Sequence, residues 1–178
     1  MAYKWNIDPI HSEVLFRIKY LVISSVTGQF TRFDGEISSE SEDFNGATAN
    51  FQIETASVST KVEDRDNHLK SSEFFDAEKF PYIKFTNGKL VRKGDDYKLS
   101  GDLSIKDTTN NITLDVDFGG SIVDGYGQKK AGFEISGKIN RKEFGLTYDA
   151  VTEAGGVVVG DEVRLILNVQ LVQQNKIE

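Results

Sequence analysis

The sequence predicts an all-β protein, an elongated antiparallel barrel of about eight strands with a short helical insertion. Three observations indicate this fold. Apolar and polar residues alternate with a period of two along most of the 178 residues, turn-forming residues separate the runs, and helical crossovers are nearly absent. Closure into a barrel removes the unpaired sheet edges that such a chain would otherwise have. A two-sheet sandwich is the alternative, because periodicity does not report closure.

The predicted strands number eight or nine and follow one another along the chain. In each of them the apolar side chains at every second position would face the core. They lie near Lys4 to Ile7, at Val14 to Tyr20, around Phe30 to Ile37, and at Ala49 to Ile53, Ile83 to Phe85, Leu99 to Ile105, Ile112 to Phe118, Phe133 to Ile139 and Val163 to Leu171. The last run, over residues 161–172, would span about 35–40 Å, which favours a long barrel over a compact sandwich.

The connections are typical of antiparallel hairpins. Turn chemistry is present at Asn87-Gly88, Lys93 to Asp96, Thr108 to Asn111 and Asp124 to Gly127, and the pairs Gly119-Gly120 and Gly155-Gly156 also indicate turns. The exception is the segment of residues 60–77, which predicts a helix. There Thr60 and Glu63 resemble a capping box, and a second short turn beginning at Ser71 or Ser72 would end before Pro81.

Composition excludes several functional classes. The net charge of −7 argues against nucleic acid and against an anionic membrane surface as the main partner. The chain has no cysteine, which excludes thiolate metal sites and thiol nucleophiles, and its two histidines make a multi-histidine metal site improbable. No apolar run is long enough for a spanning helix. The first residues show no export signal, so a cytoplasmic location is expected, or a periplasmic one if a signal was removed.

The sequence carries no strong catalytic or nucleotide-binding motif. Most acidic residues on the strands, such as Asp115 and Glu134, fall on the polar phase and would face water. Neither a phosphate-binding loop nor a nucleophile elbow is present. The apolar phase of the strands leaves two alternatives, a packed core or a cavity for one long apolar molecule. Its lining would include Phe16, Phe51, Phe85, Leu103, Leu114, Phe133 and Leu165.

A set of short segments in a common order resembles the YceI-like family of polyisoprenoid-binding, lipocalin-like proteins. These segments are Trp5-Asn6-Ile7-Asp8 with His11-Ser12, Val14-Leu15-Phe16, Val26 to Phe30 with Phe33 and Gly35, Ser57 to Thr60, Arg65 to Ser71, Phe74-Phe75-Asp76, Lys79-Phe80-Pro81, Tyr97 to Leu103, Ile139-Asn140-Arg141 with Phe144-Gly145, and Val159 to Val163. Their shared order extends over about 170 residues of the chain.

The resemblance implies an eight-stranded lipocalin-like barrel over residues 1–178 that binds an isoprenoid or fatty-acid-like chain. It also implies a homodimer, no catalysis and no cofactor besides a bound lipid. Carried over by position, the ligand-binding residues would be Phe16, Ile18, Phe30, Phe51, Phe85 and Leu103, with Leu69, Phe74 and Phe75 on the helical segment near an opening. Tyr20 and the apolar-phase residues Leu114, Phe133 and Leu165 complete the predicted ligand-binding set. The family usually has histidine at the position of Tyr20, so a phenol replaces any role of that imidazole.

Three polar positions in these segments have two interpretations. Arg141, Arg65 and His68 could bind the head group of a ligand, since guanidinium groups bind pyrophosphate and carboxylate through paired hydrogen bonds. Alternatively, Arg141 could hold a turn by bonding backbone carbonyls or Asp66, and we favour this structural interpretation. The competing functions are a ligand-free interaction module with a packed core and an enzyme that acts on an isoprenoid inside the barrel.

Overall fold

The structure is a computed structural model, and it describes residues 2–21, 23–149 and 159–174. These residues form eleven strands and one α-helix, which are β1 (Tyr3–Ile7), β2 (Glu13–Tyr20), β3 (Ser24–Phe30), β4 (Phe33–Ser39), β5 (Thr48–Glu54), β6 (Val58–Ser59), α1 (Glu63–Lys70), β7 (Tyr82–Lys93), β8 (Asp96–Ile105), β9 (Thr108–Val123), β10 (Lys129–Asn140) and β11 (Val159–Gln173). Within the same ranges, no helix has the length and apolar character needed to cross a membrane.

Eight of the strands close into an antiparallel barrel. Their order around the ring is β1-β4-β5-β7-β8-β9-β10-β11, and β11 pairs back to β1. The remaining strands, β2, β3 and β6, continue the wall from the other half of β11. The predicted barrel is therefore confirmed, and the sandwich alternative is wrong.

The strand count exceeds eight because three long strands are interrupted. β1 and β2 lie one after the other along β11, with Leu171 opposite Ile7 and Leu165 opposite Phe16. A short 3₁₀ turn at residues 9–11 separates them, capped by the Asp8 carboxylate, which accepts from Ile10 N at 3.1 Å. The strand predicted around residues 30–37 corresponds to β4, but it begins only at Phe33, because Phe30 ends the separate strand β3.

Two of the predicted turns are correct and three lie inside strands. Two-residue turns at Gly94-Asp95 and Lys106-Asp107 join β7 to β8 and β8 to β9, and residues 124–128 join β9 to β10. The predictions for Asn87-Gly88, for Gly119-Gly120 and for Thr108 to Asn111 are wrong. Asn87-Gly88 is a bulge in β7, where the pairing shifts register. Gly155-Gly156 lies outside the described residues.

The helical insertion is shorter than the predicted segment. α1 covers eight residues, and hydrogen-bonded turns follow it, with Phe74 N bonding Ser71 O at 3.0 Å. The predicted capping box is wrong, because the helix begins after Val62 and no side chain caps it. Thr60 instead donates its hydroxyl to Asp66 at 2.6 Å. This bond joins the end of β6 to the helix and positions α1 at one end of the barrel.

The opposite end of the barrel, called here the closed end, is sealed by Phe44 in the loop between β4 and β5. Its ring is almost fully buried, with centroids 5.0 Å from those of Trp5 and Phe133 and 5.3 Å from that of Phe118. The Tyr97 hydroxyl holds this loop by donating to the Asp43 carbonyl at 2.7 Å. Burial and edge-to-face contacts of this kind stabilise the closed end. An opening of the interior to solvent, called here the mouth, would therefore lie at the other end of the barrel.

Candidate functional site

The barrel encloses a cavity of about 710 Å³ between the closed end and α1. Its wall is the apolar phase of the strands, as the period-two pattern predicts. All thirteen residues predicted to bind the ligand lie on this wall, namely Phe16, Ile18, Tyr20, Phe30, Phe51, Leu69, Phe74, Phe75, Phe85, Leu103, Leu114, Phe133 and Leu165. The arrangement suits an apolar molecule, since few polar groups lie along the wall to compensate a buried polar one.

Phenylalanine rings that lie over glycines of the neighbouring strand explain why the barrel is hollow. Eight strands leave an interior that side chains can fill. Phe16 faces Gly28 across the β2–β3 pair, and a Cβ on that glycine would lie only 2.2 Å from the ring. A Cβ on Gly101 would lie 2.4 Å from the ring of Phe85. Each ring therefore occupies the space where a side chain would stand and lies close to the wall, which leaves the centre open.

The segment from the start of α1 to Phe75, called here the cover, lies over one end of the cavity. Leu69 on the helix and Phe74 and Phe75 after it all line the interior. The Phe75 ring packs edge-on against Phe30 with centroids 5.8 Å apart, and Phe30 packs against Phe16 at 5.5 Å. These aromatic contacts tie the cover to the wall of β2 and β3.

The mouth of the cavity lies between this cover and the end of the β2–β3 hairpin. Tyr20 from β2, Val62 before α1 and Val159 at the start of β11 line the cavity there. Tyr20 is 38% exposed and Val62 is 46% exposed, so both side chains contact the interior and the solvent side. Arg65 and Asp64 on α1 complete this edge.

Arg65 joins the helix to the barrel. Its guanidinium donates to the Thr60 hydroxyl at 2.7 Å and to the Thr60 carbonyl at 2.9 Å. Since Thr60 also bonds Asp66, the three residues form one network at the start of the cover. Arg65 thus holds the cover in place while its side chain lies at the edge of the cavity.

His68 connects the cover to a second segment, residues 145–149. Its Nε2 lies 2.7 Å from a carboxylate oxygen of Glu73. The imidazole also packs edge-on against Phe74 and Tyr148, with centroids 5.0 Å and 4.9 Å away. Tyr148 lines the cavity, and sequence reasoning missed it because it lies in an irregular segment where no period can be read.

Arg141 is 2% exposed and its guanidinium is occupied by internal acceptors. It donates to the carbonyls of Leu146 at 2.6 Å, Tyr148 at 2.8 Å and Gly160 at 2.8 Å, and to the Asp149 carboxylate at 2.6 Å. These contacts join the segment after β10 to the start of β11. Asp66, considered from the sequence as a partner, bonds Thr60 instead.

Asp149 is held as a carboxylate by two cations. A hydrogen bond from Lys142 and then one from Arg141 lower the pKa of this carboxyl below its usual value, because both stabilise the charged form. The Lys142 ammonium also lies 3.4 Å from Asp161. The charged cluster therefore stabilises the segment beside the mouth, and within it Arg141 also lines the cavity.

His11, the other histidine, lies outside the cavity wall. Its Nδ1 is 2.8 Å from the Asp8 carboxylate, and this hydrogen bond is the main cause of a lowered Asp8 pKa. The neighbouring Ser12 hydroxyl accepts from Gln170 N at 2.9 Å. The arrangement joins the 3₁₀ turn to β11 and does not form a nucleophile–base pair.

Comparisons with known proteins agree with this architecture. Residues 5–171 match the YceI-like domain. A UPF0312 protein of Staphylococcus epidermidis is 36% identical over 162 residues, covering 90% of this chain and 92% of the relative. Burkholderia cenocepacia BcnA has a similar fold, with a TM-score of 0.79, 19% identity and coverage of 92% and 98% of the two chains.

A third similar protein is a polyisoprenoid binding domain from Saccharophagus degradans. Its structure matches with a TM-score of 0.67 and 13% identity, covering 96% of this chain and 98% of that domain. At this identity the likeness concerns the fold. The domain match and the curated relative, together with the closed barrel, show that the chain belongs to the YceI-like family.

Proposed function

We propose that this protein binds one long apolar lipid, an isoprenoid or fatty-acyl chain, and carries or sequesters it without changing it chemically. The observation that supports the proposal most is the 710 Å³ cavity, which is sealed by Phe44 at one end and has its mouth at the other. Burial of apolar surface in such a cavity would supply the affinity.

The volume indicates the size of the ligand. If each non-hydrogen atom takes about 30 Å³, the share of a water molecule in liquid, the cavity holds roughly 20–25 of them. That number corresponds to a long fatty-acyl chain or to an isoprenoid of four or five units. The ligand class named for the Saccharophagus degradans domain, a polyisoprenoid, supports the isoprenoid among these.

The hydrogen-bonded state of the polar groups supports binding without catalysis. Arg65 bonds Thr60, His68 bonds Glu73, and Arg141 bonds backbone carbonyls and Asp149. A catalytic acid or base would need a group directed at the ligand and available for proton transfer. We therefore assign these three residues to holding the cover and the adjacent segment, and we do not assign them to chemistry.

The alternative of a ligand-free module with a packed core is not favoured, because the interior of this barrel is hollow. The homodimer implied by the family resemblance remains part of the proposal. Sedimentation velocity of the purified protein measures it directly.

The proposal is tested by native mass spectrometry of the purified protein, followed by organic extraction and identification of any bound molecule. We expect a polyprenyl or acyl species at a ratio of about one per chain. A protein that is empty and also takes up neither an added isoprenoid quinone nor a fatty acid would contradict the proposal.

A pair of variants locates the bound molecule. Leu165 lies on the cavity wall and Arg164 next to it is exposed. Leu165→Trp should fill part of the cavity and reduce the amount of co-purifying lipid, whereas Arg164→Trp adds the same ring outside and should leave it unchanged. Equal lipid content in both variants would place the ligand elsewhere.

A further inference from the structure

We propose that the apolar rim of the mouth docks on a lipid bilayer when the ligand enters or leaves the barrel. The rim is defined as Tyr20, Leu21 and Ile23 of the β2–β3 hairpin together with Val62 before α1. This inference rests on the proposed function and adds the source and destination of the ligand, which we take to be a bilayer and not the aqueous phase.

The rim exposes more apolar surface than a hairpin tip normally does. Ile23 is 88% exposed, and Leu21 is exposed as well. Hairpin tips usually contain asparagine, aspartate or glycine. Single exposed apolar side chains need no explanation, but four around one opening resemble an interaction site.

The backbone of the tip shows that local folding does not require these residues. Leu21 has a φ of +54°, a left-handed conformation that is unfavourable for leucine because its Cβ crowds the following carbonyl oxygen. The tip is closed by Ile23 N bonding Leu21 O at 2.7 Å and by the Ser24 hydroxyl bonding Tyr20 O at 3.0 Å. Asparagine or glycine would suit position 21 better, so a leucine there points to a use outside the fold.

The rim is continuous with the cavity wall. Tyr20 and Val62 each line the cavity and are also partly exposed. Apolar surface at the hairpin tip and before α1 therefore continues into the barrel through these two side chains. A lipid that left a bilayer along this surface would avoid exposing its chain to water, which is the main cost of its transfer.

The charges around the rim favour a zwitterionic bilayer over an anionic one. Lys19 and Lys61 flank the apolar residues, and Glu63 and Asp64 follow at the start of α1. Charges of both signs at the mouth, on a chain of net charge −7, give no basic patch for acidic head groups. Docking would depend on insertion of apolar side chains and would respond weakly to salt.

A transfer assay tests the inference. The protein is loaded with a fluorescent polyene fatty acid and mixed with phosphatidylcholine vesicles that contain a quencher. If the rim docks, the transfer rate rises with vesicle concentration. Ile23→Asp should lower that rate about tenfold, since a buried isoleucine gains a comparable factor over an exposed one, while the equilibrium affinity for the probe stays unchanged.

The matched control is Ile122→Asp, because Ile122 is 66% exposed on β9 near the β9–β10 hairpin, at the closed end. This variant should transfer the probe at the wild-type rate. A wild-type rate that is independent of vesicle concentration, or equal rates for both variants, would overturn the inference. The inference would also be overturned if the wild-type protein were a dimer that Ile23→Asp dissociates without slowing transfer, because the rim would then bind a second copy of the chain.

Failure of the proposed function gives a different result. A wild-type protein that binds no probe contradicts lipid carriage but not docking. Flotation of the unloaded protein with phosphatidylcholine vesicles measures docking alone. Co-flotation that Ile23→Asp removes and Ile122→Asp preserves would support the rim as a bilayer-binding surface, and absence of co-flotation together with vesicle-independent transfer would refute it.

Discussion

Replacing Arg141 by methionine should destabilise the protein more than it weakens lipid binding. The guanidinium lies at the junction of the segment after β10 with the start of β11, and its donors bond three carbonyls and Asp149 at 2.6–2.8 Å. Methionine has a similar length but no donor. The three carbonyls would each lose a hydrogen-bond donor, and little water could replace it because the Arg141 side chain is only 2% exposed.

The size of the effect follows from these contacts. Removing one partner of a buried ionic and hydrogen-bonded group costs about 3–5 kcal/mol. For a chain of this size each kcal/mol lowers the melting temperature by about 2–4 °C, so the total is about 6–20 °C. The Asp149 carboxylate keeps its bond to Lys142 at 2.9 Å, which places the expected loss toward the lower part of this range.

Thermal denaturation followed by circular dichroism measures the loss, and titration with the fluorescent fatty acid measures affinity. Lys142→Met is the matched control, because Lys142 contacts Asp149 and Asp161, the two carboxylates that also lie within 4 Å of Arg141, from a side chain that is 38% exposed. Exposed ion pairs contribute about 0–1 kcal/mol, so its melting temperature should fall little. Unchanged melting of Arg141→Met together with a large loss of affinity would refute the structural role and assign Arg141 to the head group.

Two further predictions concern the cavity and the response to acid. Gly28→Ala should displace the Phe16 ring into the cavity and shift the binding preference toward shorter acyl chains in a competition series. Gly125→Ala is the control and should not change this preference, because a Cβ there meets nothing within 4 Å. Equal chain-length preferences in the two variants would contradict the role of Gly28. Because the Asp149 pKa is lowered in the folded state, its contribution to stability is complete above the ordinary value of 3.8 and is lost as pH falls through the lowered pKa. The melting temperature should therefore drop in that range, and less steeply for Asp149→Asn, and parallel acid profiles of the two proteins would contradict this.

Much of the barrel could be predicted because strand periodicity is a local signal. The run from Leu99 to Ile105 alternates in sequence and alternates in burial along β8. The features that the sequence did not predict depend on long-range pairing between strands. Asn87-Gly88 has the chemistry of a hairpin turn, and Asn87 does adopt a positive φ of +54°, but β7 pairs with β5 and β8 on both sides of it, so the same chemistry forms a bulge.

The residues of the candidate site were likewise predictable on the strands and not in the irregular segments. Wall residues such as Phe51 and Leu114 follow from the inward phase of their strands, and the structure places them on the cavity. Phe44 and Tyr148 lie in irregular segments, where spacing gives no direction for a side chain. An isolated aromatic residue among the polar residues of the loop between β4 and β5 was the available signal for Phe44, since exposing such a ring costs apolar hydration.

Whether the barrel is filled or hollow depends on pairs of residues that the sequence does not align. A packed core and a cavity give the same alternation of apolar and polar positions, so periodicity cannot separate them. The difference arises where Phe16 lies opposite Gly28 and Phe51 lies opposite Gly35, since the missing side chain leaves room for the ring beside the wall. Register is needed to see these pairs, and a shift of one residue would turn both rings to the other face. Hollowness in this fold is therefore a property of register and of pair identity, and a search for glycine opposite phenylalanine in paired strands should distinguish ligand-binding barrels from packed ones.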